Sequence, residues 1–280
     1  MVNRSESLNI REYCQEDIPN LVSLWSSTFG DSPEFVEGFF RFLPDMGTCI
    51  LLEKNGELLA EASVISGFEI TSPGGGEGPV CGYIYAVAVR EDCRGKGYGR
   101  LITKAAYEKA LEREAEIVCT LPADEELYDF YRSVLGFEPA LYRKAYETQA
   151  SKSEMTMKLS ATEYSMFRNS MLAGTQLHPS FFTMDFVRFL CEISGGGLYA
   201  SESGICTAVK EDDGSCVIHE LICRDESKAK DIAASVADTL GCVRAVYYLP
   251  AEKDTEGSEK YIAAEPGKIP QNCHWGIALE

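Results

Sequence analysis

The sequence predicts an α/β (α+β) protein in which one unit of strands and helices is followed by a second of similar element order. Three observations carry that prediction. Segments with the two-residue period of strands alternate with segments of helical period along the chain. A glycine-rich stretch, Gly95 to Gly99, joins an unusually apolar strand to a long helix. A small, polar run from Glu147 to Ser153 interrupts the pattern, and beyond it the same order of elements begins again. With 280 residues and 45% hydrophobic content, the chain has material for two cores, placed here at residues 1–150 and 151–280.

The first half reads as a strand (Leu8 to Tyr13), a helix (Asp17 to Phe29, with Asp17 as N-cap) and a helix (Pro33 to Phe42). Strands at Thr48 to Glu53 and Glu57 to Ser66 flank an Asn55-Gly56 turn, the residue pair that a tight hairpin requires. After a glycine-rich loop (Pro73 to Pro79) come a strand (Tyr83 to Val89), a helix (Gly99 to Glu114), a strand (Ile117 to Leu121), a helix (Asp124 to Leu135) and a strand pair (Phe137 to Tyr146). The second half gives a strand (Met155 to Leu159), helices (Ala161 to Leu172, Phe181 to Ile193) and strands (Gly197 to Ser201, Ile205 to Lys210, Cys216 to Cys223). A helix (Glu226 to Leu240) and strands at Cys242 to Leu249 and His274 to Leu279 complete it. This order repeats that of the first half up to the strand after the long helix, as expected of a duplicated domain that has since diverged.

A net charge of -18 sets the surface against polyphosphates, which excludes nucleic acid as the expected partner and favours a basic small molecule or a lysine-rich peptide. The eleven cysteines are odd in number and dispersed, without a C-x-x-C pair or a histidine cluster at zinc spacing. They read as reduced, buried thiols, with no metal site. The N-terminus is polar, and no stretch approaches the ~18 apolar residues of a membrane span. A cytoplasmic protein without membrane contact is expected.

The chemistry is concentrated in Val87-Ala88-Val89-Arg90-Glu91-Asp92-Cys93-Arg94-Gly95-Lys96-Gly97-Tyr98-Gly99-Arg100. Glycines at 95, 97 and 99 let the backbone turn sharply where a strand hands over to a helix, so that consecutive N–H groups converge on one anion. The helix N-terminus adds unpaired donors and the positive end of its dipole. Arg94, Lys96 and Arg100 supply formal charge, a basic island in an acidic chain. The spacing is not that of a dinucleotide fingerprint, and Lys96 is followed by Gly97 rather than by the Ser or Thr of a P-loop.

These residues resemble the signature of the GNAT acyltransferase superfamily, [RQ]-x-x-G-x-[GA] after a valine-rich strand, which Arg94, Gly97 and Gly99 match position by position. The likeness spans about residues 8 to 146. It implies a twisted mixed sheet, flanked by helices and splayed in a V between the strand ending at Val89 and the strand Ile117 to Leu121, with acetyl-CoA (coenzyme A) in the opening. By the same likeness, Val87, Ala88 and Val89 would pair with the pantetheine arm and a main-chain N–H near Val89 would face the oxyanion. The amides of Arg94, Gly95, Lys96, Gly97, Tyr98, Gly99 and Arg100 would hold the pyrophosphate. Asp124 stands near the expected thioester end and is also a natural helix N-cap. Tyr131 resembles the family's tyrosine that protonates the departing thiolate, with Tyr128 one turn earlier as the alternative. A phenol with a pKa of about 10 is protonated at neutral pH and can serve a thiolate whose acid form titrates near 8.5. Glu61 and Glu69 are weaker candidates for a base, and His219 and His274 read as hydrogen-bonded core residues.

The expected activity is N-acetylation of a primary amine on a small cationic molecule or a lysine side chain. The alternative is a non-enzymatic acyl-CoA binding or sensing module. In the second half the corresponding turn, Arg224-Asp225-Glu226-Ser227-Lys228-Ala229-Lys230, contains no glycine, so a degenerate GNAT-like domain without coenzyme is expected, serving to wall off the acceptor pocket or to form a homo-oligomer. A catalytic domain followed by such a copy also resembles the enhanced-intracellular-survival type of aminoglycoside acetyltransferase, without its third domain. In those proteins the terminal carboxylate acts as base, a role that would fall to Glu280.

Overall fold

The computed structural model describes residues 8–72, 78–277 and 279. Two compact units emerge. One comprises the chain up to Phe68 with Pro79–Glu138 and Ala264–Pro266; the other comprises Glu69–Gly78, Pro139–Ala263 and the chain from Gly267.

In the first unit, β1 (Leu8–Glu12), β2 (Gly47–Lys54) and β3 (Glu57–Thr71) form an antiparallel meander. Asn55 and Gly56 turn between β2 and β3 with φ of 55° and 84°, the left-handed pair that the hairpin demands. Helices α1 (Ile18–Phe29) and α2 (Pro33–Met46) precede β2, and their apolar faces bury Leu21, Trp25, Phe39 and Leu43. Asp17 does not cap α1 through its side chain. Its carboxylate is taken by Arg11 at 2.6 and 2.7 Å and by the Cys14 N–H, because a charged fork outcompetes a cap.

β4 (Val80–Val89) leads through a short turn into α3 (Tyr98–Glu112), followed by β5 (Ile117–Thr120), α4 (Glu125–Leu135) and β6 (Glu138–Pro139). The strand order is β1-β2-β3-β4-β5-β15-β6, where β15 (Ala263–Ala264) inserts a late segment of chain. The glycine-rich loop expected at 73–79 falls largely outside the described residues.

The second unit is a seven-stranded sheet of order β14-β7-β13-β12-β11-β10-β8. Its strands are β7 (Tyr142–Gln149), β8 (Met157–Leu159), β10 (Gly197–Ala200), β11 (Gly204–Lys210), β12 (Ser215–Cys223), β13 (Arg244–Ala251) and β14 (Ser258–Lys260). Helices α5 (Ala161–Met171), α6 (Phe181–Ile193) and α7 (Ala229–Leu240) cover it, with a short strand β9 (Gln176–Pro179) between α5 and α6. Ile218, Leu221, Ile232, Val236 and Ala245 lie in one buried cluster between α7 and the sheet. β7 pairs with β13 along its whole length, so the chain enters the second sheet before the polar run at 147–153.

The strand expected at His274 to Leu279 does not form. His274 makes an isolated bridge to Gln176, and Gly276 follows with φ 62°, which ends any extended run. Residues 278 and 280 lie outside the described residues.

Candidate functional site

The site in the first unit begins where two parallel strands part. β4 pairs with β5 only from Cys81↔Ile117 to Tyr83↔Cys119, while β4 itself continues to Val89. Thr120, the last residue of β5, donates its hydroxyl to the Ile84 carbonyl at 2.9 Å. Beyond that bond β4 runs on alone past β5. Ala86 there has φ 51°, a left-handed conformation inside a strand, which turns its peptide groups away from regular ladder geometry. The sequence offers no sign of it, since alanine has no preference for that region. Val87 and Val89 are half-buried and Ala88 is fully buried.

The turn after β4 leaves its amides open. Gly95 and Gly97 adopt φ of 74° and 83°, and a Cβ on either would meet nothing within 4 Å. They are needed for their backbone conformation rather than for packing, and the space before them is free. Gly97 is the N-cap of α3 and supplies no side-chain cap; the first main-chain bond of the helix runs from the Leu101 N–H to the Gly97 carbonyl at 3.2 Å. Among the described residues no acceptor meets the N–H groups of Gly95 to Arg100. Open donors at a helix N-terminus are the arrangement that suits an anion.

Arg94 and Arg100 have no carboxylate partner among the described residues, whereas the Asp92 carboxylate lies near the Lys96 charge. Arg94 donates to the Val89 carbonyl at 3.2 Å, Lys96 to the Asp92 carbonyl at 2.8 Å, and Arg100 to the Ser133 hydroxyl and carbonyl at 2.9 and 3.0 Å. Each contact fixes the side chain through a neutral oxygen, and for Arg94 and Arg100 it leaves the charge available. Arg90 differs: Asp92 at 2.7 Å and Glu57 at 3.5 Å compensate it. Tyr98 is half-buried at the start of α3. These groups fit a diphosphate, the anion that coenzyme A would bring.

α4 places the tyrosines. Asp124 caps it, accepting from the Leu127 N–H at 2.8 Å, and Gly136 ends it at φ 73°. Its buried face presents Tyr128, Tyr131 and Val134. Tyr131 is 6% exposed, its hydroxyl lies near the Thr120 side chain, and burial pushes its pKa up to about 12. It therefore sits at the point where the two strands diverge.

Two features escaped the sequence reading. Tyr85, on the diverging part of β4, meets Trp25 at 5.6 Å and Phe39 at 5.6 Å between ring centroids, forming an aromatic wall with α1 and α2. Asp31, half-buried in the loop between those helices, accepts from the Trp25 indole at 2.7 Å and is close enough to help raise the Tyr85 pKa, after burial. A Trp-x5-Asp spacing across a helix end is the only trace of this in the sequence.

Glu61 is 1% exposed beside Cys49, and burial pushes its pKa well up. His274 hydrogen-bonds buried Glu220 at 3.1 Å in the second unit. Glu280 lies outside the described residues. All eleven cysteines are free, and no cluster able to hold a metal occurs among the described residues. No described helix is long and apolar enough to cross a membrane.

Residues 15–137 match the acetyltransferase (GNAT) family. No curated protein matches the sequence. Among solved structures, a GCN5-related N-acetyltransferase from Kribbella flavida aligns with a TM-score of 0.66 at 17% identity, over 92% of this chain and 71% of that one. One from Anabaena variabilis gives 0.64 at 13% identity, over 92% and 72%. Eis1 from Mycobacterium abscessus gives 0.61 at 10%, over 92% and 73%. At these identities the likeness is one of fold, and it takes in both units.

Proposed function

We propose, from the premise that residues 15–137 belong to the acetyltransferase (GNAT) family, that the first unit transfers the acetyl group of acetyl-CoA to a primary amine on a small cationic molecule or a lysine side chain. Acetyl-CoA, when bound, supplies an activated thioester. The amides from Gly95 to Arg100, with the charges of Arg94, Lys96 and Arg100, hold its diphosphate. Val87, Ala88 and Val89 offer their main-chain edge to the amides of the pantetheine arm. Asp124 keeps α4 in place next to the thioester end.

Tyr131 keeps its proton throughout the neutral range, because burial disfavours the phenolate. It acts as a hydrogen-bond donor to the sulfur as charge builds there. Asp31 and the aromatic wall of Trp25 and Tyr85 suit a cationic amine, whose charge the carboxylate compensates and whose stem the rings cover.

The observation that carries this reading is the run of open amides flanked by the uncompensated charges of Arg94 and Arg100, next to two diverging strands. The test is thiol release from acetyl-CoA across polyamines, aminoglycosides and lysine peptides, for the wild type and Tyr131→Phe. Release with at least one amine, lost in the variant while calorimetric CoA binding persists, is the expected result. CoA binding without release from any amine would assign a non-enzymatic binding module instead.

A further inference from the structure

The loop between α1 and α2 holds a carboxylate with capacity to spare. It consists of Gly30, Asp31 and Ser32, and both ends are fixed. Gly30 closes α1 with φ 85°, its N–H donating to the Ser26 carbonyl at 3.0 Å, and Ser32 caps α2, accepting from the Phe35 N–H at 3.2 Å. Capping therefore does not require Asp31. One of its oxygens accepts from the Trp25 indole at 2.7 Å, and among the described residues no second donor and no lysine, arginine or histidine reaches the carboxylate. A carboxylate has acceptor sites for about four hydrogen bonds, so most of this one is unused.

Aromatic rings stand around it. Trp25 is 1% exposed and packs on Phe39 at 4.9 Å between ring centroids, which makes the indole a fixed post for the carboxylate. Phe29, Phe35 and Tyr85 meet the same indole at 5.7, 6.4 and 5.6 Å, and each keeps part of its surface open, Phe29 being exposed and the other two half-buried. Burial, and then the Asp31 charge, raise the Tyr85 pKa, so these two side chains are near each other. A carboxylate among partly open rings attracts a cation twice, by its own charge and by the ring quadrupoles.

That charge is misplaced for the nitrogen that reacts. An amine attacks the thioester only when neutral, and an alkylamine such as a lysine side chain, with a pKa of about 10.4, is almost wholly protonated at neutral pH. A carboxylate beside it would raise that pKa further and deplete the neutral form. Tyr85 also stops short of the opening. The strand leaves ladder geometry at Ala86, and Val87 lies two residues beyond Tyr85, about 7 Å along the strand.

We infer that Asp31 is a specificity-determining residue that binds a second, non-reacting cation of the acceptor, so that the preferred substrate is an alkyl diamine long enough to reach from Asp31 to the strand beyond Ala86. The carboxylate pairs with the far ammonium, and the open faces of Phe29, Phe35 and Tyr85 cover the methylene chain. The near nitrogen is left free of any carboxylate at the thioester. The inference rests on the acetyl-transfer reading for which nitrogen reacts, but not for where the ammonium binds.

Binding and transfer are therefore read separately. Cadaverine and pentylamine, equal in length and differing by one charge, are titrated calorimetrically into the full chain with and without CoA, and both are then assayed for thiol release from acetyl-CoA. Cadaverine should bind about tenfold more tightly, the worth of one charge-assisted contact, and show a correspondingly lower KM. Ethylenediamine, too short to span the two positions, should lose that advantage. Asp31→Asn should abolish the difference between cadaverine and pentylamine, with CoA affinity reporting that the variant is folded; the comparison of the amines on the wild type decides the matter even if it is not. Equal affinity of the wild type for cadaverine and pentylamine, or an Asp31→Asn protein that still prefers cadaverine, overturns the inference. Asp31-dependent binding of cadaverine without thiol release from any amine keeps the second-cation site and removes acetyl transfer, whereas release from both amines with one KM does the reverse.

Discussion

The Thr120 hydroxyl is the last tie between β5 and β4, donating 2.9 Å to the Ile84 carbonyl one residue past the final ladder pair. The Tyr131 phenol lies near the same side chain, so Thr120 stands both where the sheet opens and beside the phenol. Thr120→Val removes the bond to Ile84 at nearly constant volume. It should cost about 1 kcal/mol of stability, the net worth of a buried hydrogen bond, and lower kcat more than KM rises. Tyr131→Phe should lower kcat by about 10²-fold or more with CoA affinity unchanged. Urea unfolding and steady-state kinetics check the pair; a Thr120→Val enzyme with wild-type kcat would detach the hydroxyl from the chemistry.

Gly97 and Gly99 should respond differently to alanine. At Gly97 the φ of 83° makes any Cβ strained by about 1–2 kcal/mol, so Gly97→Ala lowers the melting temperature and CoA affinity together. Gly99 lies in helical conformation, and its added Cβ would meet Val89 Cγ2 at an ordinary 3.7 Å. Gly99→Ala should therefore leave stability intact and weaken CoA far less than Gly97→Ala does. Melting temperatures beside calorimetric titrations separate the two effects.

That contrast shows what the sequence could carry. Glycines at 95 and 97 are legible because left-handed backbone has few other solutions, and so is the Asn55-Gly56 hairpin. Gly99 is legible only through the spacing of its neighbours. The positive φ of Ala86 is not legible at all, nor is the pairing of β7 with β13, because strand partners are chosen by burial far away in sequence. The apolar alternation from His274 to Ile277 suggests a strand, yet Gly276 packs so closely on Glu220 that a Cβ there would sit 2.0 Å from its carboxylate, and the chain bends to suit that contact. Arg168 shows only as a cation on the buried face of α5, with Ala161 and Tyr164.

Charge compensation around the turn after β4 predicts an order of effects. Arg94 and Arg100 are held by neutral oxygens, whereas Arg90 is paired with Asp92 and Glu57. Arg94→Ala and Arg100→Ala should weaken CoA about tenfold each and flatten the dependence of affinity on salt. Arg90→Ala should change neither. A fall in affinity for Arg90→Ala equal to the others would mean that net charge, not placement, attracts the coenzyme.

The buried pair in the second unit predicts how acid unfolds it. Burial alone would push the Glu220 carboxyl up, but the Arg168 charge and the His274 hydrogen bond outweigh it and bring its pKa from an ordinary 4.5 down to about 2. A depressed carboxylate stabilises the fold fully above its unfolded value, so this contribution is present at neutral pH and drains away as pH falls from about 4.5 towards about 2. Glu220→Gln should cost about 3–5 kcal/mol, because it leaves the Arg168 charge buried without its partner, and should remove that acid sensitivity. Arg168→Met together with Glu220→Gln should recover much of the loss, since no buried charge is then left unmatched. Urea unfolding of the three variants between neutral pH and acid, followed by Trp275 fluorescence, gives the comparison; a double variant no more stable than Glu220→Gln alone would place the stabilisation in the Tyr164 and His274 hydrogen bonds instead of the ion pair.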